Sequence, residues 1–257
     1  MKKIILAAAA ALAIVPVSAA VNAAEEGPQL MHVEWTFDGL FGKFDKQQLQ
    51  RGYQVYKEVC SSCHSMNYVA FRNLEDLGYS EGQVKAVAAE YEYPDIDDEG
   101  SETTRKGKAS DHFKNPYPNE KFARASNNGA LPPDLSLMTK ARVDGPNYVY
   151  SLLLGYGEAP EDIQMLDGMN YNKYFSSGSY QIAMAQQLFD DLVTYADGTP
   201  ATAEQMSKDV VAFLHWAAEP KLEARHSTGF RVMLYTLIFT ILTYLLKKRI
   251  WARLEKK

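Results

Sequence analysis

The chain has 257 residues, of which 46% are hydrophobic and 23% charged, and its formal net charge is −5. The balance is uneven, because residues 24–228 hold 31 Asp and Glu against 18 Lys and Arg, a net −13. A body this acidic excludes nucleic acid as a partner, repels anionic lipid surfaces and suits a basic soluble protein.

The chain opens with Lys2 and Lys3, an uncharged apolar run from Ile4 to Val17, and a small-residue ending at Val21-Asn22-Ala23. This is the pattern of a secretory signal peptide over residues 1–23. An uncleaved anchor, the plainer alternative, calls for a longer run less rich in alanine. Residues 24–228 suffice for one ordinary exported domain, with no internal repeat and no Gly/Ser linker.

Within that body the pattern is helical. Lys46–Tyr56 places Leu49, Tyr53 and Tyr56 on one face, and Glu81–Glu90 is a second candidate. Tyr93 to Pro118 is polar, charged and proline-bearing, the character of a long insertion. Its start overlaps an acidic run, Glu90, Glu92, Asp95, Asp97, Asp98, Glu99 and Glu102, which serves either as a solvated loop or as a docking patch. Thr199-Pro200 predicts a capped helix start, after which Met206, Val210, Phe213, Leu214 and Ala217 recur at helical spacing until Glu219-Pro220. Strand alternation is scarce.

The C-terminus predicts a single transmembrane helix over residues 229–250. Val232–Leu246 carries no charge, and Phe230, Ile250 and Trp251 extend the apolar character. Lys247, Lys248, Arg249, Arg253, Lys256 and Lys257 follow against Glu255 alone, which makes residues 251–257 the end of a cytoplasmic basic tail. The body then lies outside the membrane. In a bacterium this is a single-pass protein of the inner membrane with its domain in the periplasm.

Both cysteines lie in "YKEVCSSCHSM". An exported pair defaults to a disulfide, a zinc site wants further thiolates or a second nearby histidine, and a redox dithiol belongs after a strand in a βαβ unit. The next residue, His64, decides between them. Cys-x-x-Cys-His is the attachment signature of a c-type haem: two residues separate the thiols that bond the vinyl groups, and the adjacent histidine reaches the iron. One covalently attached haem c on Cys60 and Cys63 uses both cysteines and leaves no disulfide.

The sixth iron ligand separates electron transfer from gas binding or catalysis, and methionine suits an electron carrier. Met66 is too near the anchor, Met206 belongs to the apolar stripe, and Met233 lies in the span, which leaves Met138, Met165, Met169 and Met184. His32, His112, His215 and His226 are weaker candidates, His215 being better read as a packed or surface residue.

Beyond the haem motif, "RGYQVYKEVCSSCHSM", "NPYPNEKFARASNNGALPPDLS", "DGTPATAEQMSKDVVAFLHWAAEP" and the C-terminal anchor resemble, in that order, the cytochrome c1 family of cytochrome bc1 (quinol–cytochrome c oxidoreductase) complexes. The resemblance covers nearly all of residues 45–250. It implies a mainly α, class I cytochrome c-like haem domain with long loop insertions, plus one C-terminal transmembrane helix. It implies His64 and Met184 as axial iron ligands, although the proline pair that often follows the methionine is replaced here by Gln186 and Gln187. Pro132 and Pro133 are implied haem contacts, Arg142 a propionate contact and Tyr148 a neighbouring donor. The implied role is to take one electron from the Rieske iron–sulfur protein and pass it to a soluble basic cytochrome c, beside cytochrome b in a dimeric complex. No side chain is then required as acid, base or nucleophile. Two other classes compete: a tethered shuttle, which "AAEPKLEARHSTGF" is too short and helix-like to support, and a haem sensor or catalyst with an open iron site.

Overall fold

A computed structural model describes residues 28–252. The signal expected over 1–23 and residues 253–257 of the basic tail lie outside the described residues. Among these residues the chain forms six α-helices: α1 (Lys46–Glu58), α2 (Glu81–Ala89), α3 (Glu120–Ser126), α4 (Gly145–Leu154), α5 (Ala203–Ala218) and α6 (Leu222–Trp251). Four short strands make two antiparallel pairs, β1 (Glu92–Ile96) with β2 (Glu102–Lys106) and β3 (Asn170–Tyr171) with β4 (Gln181–Ile182). The expected mainly helical architecture is the observed one.

The core forms where α1 crosses α5. Asp45 caps α1 by accepting from the N–H groups of Gln47 and Gln48, and Leu49, Tyr53, Val55 and Tyr56 are buried on the inner face. Gly52 sits at the crossing: a Cβ there would lie 2.1 Å from the Asp209 carbonyl oxygen, so only glycine lets the backbones meet. From α5, Met206, Val210, Phe213, Leu214 and Ala217 are all buried, as their spacing predicts. Phe213 meets the rings of Tyr53 and Tyr56 at 5.6 and 5.7 Å. At the same crossing the fully buried Asp209 receives Arg51 Nε (2.8 Å) and Nη2 (3.2 Å), while Arg51 Nη1 reaches Asp197 (2.9 Å).

α5 does not begin at Thr199-Pro200. The cap is Thr202, whose hydroxyl accepts from Gln205 N–H (3.1 Å), and Asp197 Oδ1 holds Thr199 N–H (3.0 Å) in a preceding turn. Two Thr residues competed for the cap, and Asp197 claimed the first.

The 93–118 stretch is ordered by its own side chains. Glu92 pairs with Lys106 and Ile96 with Glu102 across the β1–β2 hairpin. Asp97 Oδ1 closes the turn on the N–H groups of Glu99 (3.1 Å) and Ser101 (2.7 Å), with Gly100 at φ +84°. The segment then folds onto the core, where Phe113 is buried against Phe71 at 5.0 Å.

At the other end only Glu219–Lys221 separate α5 from α6. α6 starts seven residues before the expected span. Its 30 residues reach about 45 Å at ~1.5 Å per residue. It is long and apolar enough to cross a membrane, with a mean hydropathy of 1.7 over its most apolar stretch and no body packed against that stretch. Its first turns are fixed to the body: Glu219 pairs with Lys140 (2.6 Å) and with Arg225, and Glu223 Oε1 accepts from Phe44 N–H (3.0 Å).

Candidate functional site

α1 delivers the two cysteines. After Glu58 the chain tightens into a single 3₁₀ turn, Cys60–Ser62, and the N–H groups of Cys63 and His64 both donate to the Cys60 carbonyl (3.1 and 2.9 Å). Ser61 Oγ donates back to the Lys57 carbonyl (2.8 Å) and Ser62 Oγ to that of Val59 (2.9 Å), so the turn is held from both sides. Both thiols are unpaired and half-buried. Burial, with Cys63 adding to it, pushes the Cys60 thiol up to about 12, away from the range of a reactive thiolate. Among the described residues no three His, Cys, Asp or Glu are grouped to hold a metal ion.

His64 is oriented by a backbone carbonyl. Its Nδ1 lies 2.8 Å from Pro133 O. A carbonyl only accepts, so Nδ1 carries the proton and Nε2 presents its lone pair, the tautomer an iron ligand needs. Burial lowers the His64 pKa, against the Pro133 carbonyl and the Asp134 charge, and keeps the ring neutral. Tyr56 Oη adds a bond to the His64 carbonyl (3.3 Å).

The segment that supplies Pro133 is clasped to the one that supplies His64. Asp134 Oδ2 accepts from Ser65 Oγ and Asn67 N–H, both at 2.8 Å, and Oδ1 accepts from Ser136 N–H (2.9 Å). Leu135 N–H donates to Ser65 O (2.9 Å) and Tyr68 N–H to Ser136 Oγ (3.1 Å). Burial pushes the Asp134 carboxyl up, but the bonds from Ser136, Asn67 and Ser65 outweigh it and hold the pKa below the usual range. Asp134 belongs to the site although no haem motif includes it. Its signal was the Asp-x-Ser that follows the prolines, an Asx turn in which the carboxylate caps the amide two residues on.

The expected haem contacts fall into separate groups. Pro132 is half-buried, while Pro133 is exposed and touches His64 through its carbonyl rather than its ring. The Arg142 guanidinium lies 6.0 Å from the centre of the Tyr148 ring, is exposed and has no carboxylate partner among the described residues.

Met184 follows β4 and is half-buried, and its carbonyl accepts from Tyr156 Oη (3.0 Å). The β3–β4 pair and the fully buried Asn172, whose Nδ2 bonds Leu152 O (2.7 Å), fix the strand before it. Gln186 and Gln187, standing where relatives carry prolines by the resemblance, bend the chain with their amides: Gln186 Nε2 bonds Leu188 O (3.1 Å) and Gln187 Nε2 bonds Ala185 O (3.0 Å). Met165 and Met169 line a cavity of about 460 Å³ with Tyr156, Tyr171 and Gln186, whereas Met138 packs against the core. Of the histidines, His32 meets Asn147 and His112 bridges Ala70, while His226 meets Gly42 O. His215 stacks on Phe37 at 4.3 Å, and burial lowers its pKa to about 4. Among the described residues no hydrogen bond joins the His64, Met184 and Arg142 groups. Two unpaired thiols, a neutral imidazole with one nitrogen fixed and a thioether nonetheless form a donor set whose chemistry fits a c-type haem.

Comparison with known proteins agrees with that chemistry. The model of the "Cytochrome C1 family" matches residues 35–254. Cytochrome c1 of Rhodospirillum rubrum is 46% identical over 98% of this chain and 97% of its own length. The mitochondrial "Cytochrome c1, heme protein" of Kluyveromyces lactis is 46% identical over 93% of this chain and 82% of its own. The "Cytochrome b-c1 complex catalytic subunit" of Candida albicans is 45% identical over 93% and 83%.

Proposed function

The chain belongs to the cytochrome c1 family, and from that premise we propose that it is the haem-bearing electron-transfer subunit of a cytochrome bc1 complex. The observation that carries this is the Cys-x-x-Cys-His turn with His64 Nδ1 fixed on Pro133 O, which leaves Nε2 for iron. Bound haem supplies a one-electron couple. Cys60 and Cys63 would hold it as thioethers and His64 and Met184 would ligate its iron, with Pro132 and Pro133 packed beside it and Arg142 and Tyr148 toward its propionates. Methionine ligation raises the potential, and no acid, base or nucleophile is required of the chain.

The names of two relatives, "heme protein" and "b-c1 complex", support bound haem and membership of a b–c1 complex; the group proposed is one haem c and the membrane partner cytochrome b. The electron donor is the Rieske iron–sulfur protein and the acceptor a soluble basic cytochrome c, in a dimeric complex. Residues 1–23 are removed on export, 24–228 form the periplasmic body, 229–250 cross the bacterial inner membrane and 251–257 end in the cytoplasm. Of the acidic run, Glu90, Glu92 and Asp95 pair with Lys57, Lys106 and Arg105. Asp98, Glu99 and Glu102 have no such partner among the described residues, and they are the residues to neutralise when testing whether the hairpin steers the acceptor.

Gentle detergent purification should co-isolate a b-type cytochrome and an iron–sulfur protein. The absorption spectrum should be low-spin, unresponsive to carbon monoxide, and should carry a weak sulfur-to-iron band that Met184→Leu abolishes. Prompt carbon monoxide binding to the unaltered protein would overturn the ligand assignment, and a band that survives Met184→Leu would return it to Met138, Met165 or Met169.

A further inference from the structure

The start of α6 is accompanied by a loop with no part in the haem site. Residues 38–43, Asp-Gly-Leu-Phe-Gly-Lys, turn back sharply, with Gly42 N–H donating to Gly39 O (3.3 Å) and Lys43 N–H to Thr36 O (2.9 Å). Gly39 sits at φ +76°, and a Cβ on Gly42 would lie 2.1 Å from Phe37 O, so both glycines are needed for the turn. The base is anchored in the core through Phe37, which is buried and stacked on His215.

Three contacts fix this loop to one face of α6. Phe44 N–H donates to Glu223 Oε1 (3.0 Å), Gly42 O meets His226 Nδ1 (3.3 Å), and the Phe41 ring lies 5.6 Å from that of Phe230. Positions 223, 226 and 230 are spaced three and four apart, so they share a face. Phe230 stands at the entrance to the uncharged stretch Val232–Leu246, and Phe41 therefore reaches the depth at which α6 enters lipid. At the loop tip Leu40 is 65% and Phe41 73% exposed, on a turn too tightly held to fold them inward. Lys43 follows the tip and Arg231 follows Phe230 in sequence, and neither has a carboxylate partner among the described residues, which suits lipid phosphates.

We propose that Leu40 and Phe41 form a second membrane contact, inserting the loop tip into the interfacial layer of the outer leaflet that α6 crosses. A phospholipid surface is favoured over a protein partner because a two-residue tip is far smaller than a stable protein interface. The inference rests on α6 spanning a bilayer; haem attachment enters only the labelling, where it occupies the two native cysteines.

The test uses the full-length, haem-loaded chain in phosphatidylcholine–phosphatidylglycerol vesicles. Once haem occupies Cys60 and Cys63, a nitroxide attaches only at an introduced thiol: Leu40→Cys, Phe41→Cys, Leu237→Cys in mid-helix or Asp98→Cys on the hairpin. Labels at 40, 41 and 237 should collide with dissolved oxygen and lose broadening by an aqueous nickel chelate, while a label at 98 shows the reverse. Nickel access at 40 and 41 equal to that at 98, with 237 protected, would overturn the loop contact and leave the span intact. Nickel access at 237 would remove the span and the proposal with it. In the isolated complex, labels at 40 and 41 that neither reagent reaches would mean that a protein subunit covers the loop, which also overturns the lipid assignment.

Discussion

Asp134→Ala is the most direct probe of how the chain presents His64. The carboxylate takes three hydrogen bonds, from Ser65, Asn67 and Ser136, and so fastens the Pro133 carbonyl against the imidazole. Hydrogen bonds to a buried ionised group are worth ~1.5–3 kcal/mol each. Asp134 is half-buried and water can re-satisfy part of what is lost, so about 1 kcal/mol per bond, or ~3 kcal/mol in all, is the working figure. For a body of this size each kcal/mol moves Tm by ~2–4 °C, which predicts a drop of about 6–12 °C.

The assay is thermal melting of the detergent-solubilised, haem-loaded protein, followed at its visible absorption, with Asp134→Asn as an intermediate variant that retains one acceptor oxygen. The sign of the pH dependence follows from the lowered pKa. The contribution is fully present above the unfolded carboxyl value of ~3.9 and is lost as pH falls through the lower folded value. The gap between wild type and variant should therefore be constant from neutrality to about pH 4 and close below it. A Tm change under ~2 °C at neutral pH, or a gap that widens on acidification, would refute the clasp.

Three other outcomes follow from the geometry. Tyr156→Phe removes one bond to the Met184 carbonyl, worth ~0.5–1.5 kcal/mol, so displacement of the methionine by added imidazole should become ~2–13-fold easier, read as loss of the sulfur-to-iron band. Gly52→Ala forces a Cβ into the Asp209 carbonyl and should cost at least ~1–3 kcal/mol in a urea melt, and an unchanged midpoint would mean that α1 slides freely on α5. Arg51→Met strands the buried Asp209 charge at a cost of ~3–5 kcal/mol, while adding Asp209→Leu should recover most of it; a double variant no better than the single would show that the pair acts through packing alone.

What the sequence disclosed divides by physical range. The helical stripe on α5 and the face of α1 are periodic signals and the apolar length of α6 a compositional one, so all three are legible in the sequence. The start of α5 was missed because Thr199 and Thr202 are equally good caps, and only Asp197, through its bond to Thr199 N–H, decides between them. The hairpin in 93–118 is hidden because its strands are exposed almost throughout and carry no apolar–polar alternation. In the site, Cys60, Cys63 and His64 lie within five residues and so are legible. The bonds joining His64 to Pro133, Met184 to Tyr156 and Arg51 to Asp209 span 69, 28 and 158 positions, and no local pattern encodes them.

The three residues between α5 and α6 also set a mechanical limit. α5 packs on α1, α1 ends at the Cys60–His64 turn, and α6 starts almost at once, with Arg225 paired to Glu219 and Glu223 bonded to Phe44 N–H. Among the described residues, no linker longer than Glu219–Lys221 separates α5 from the candidate membrane helix. On the proposed assignment, a haem held on Cys60 and Cys63 would keep one height above the bilayer, and any travel would fall to its redox partners.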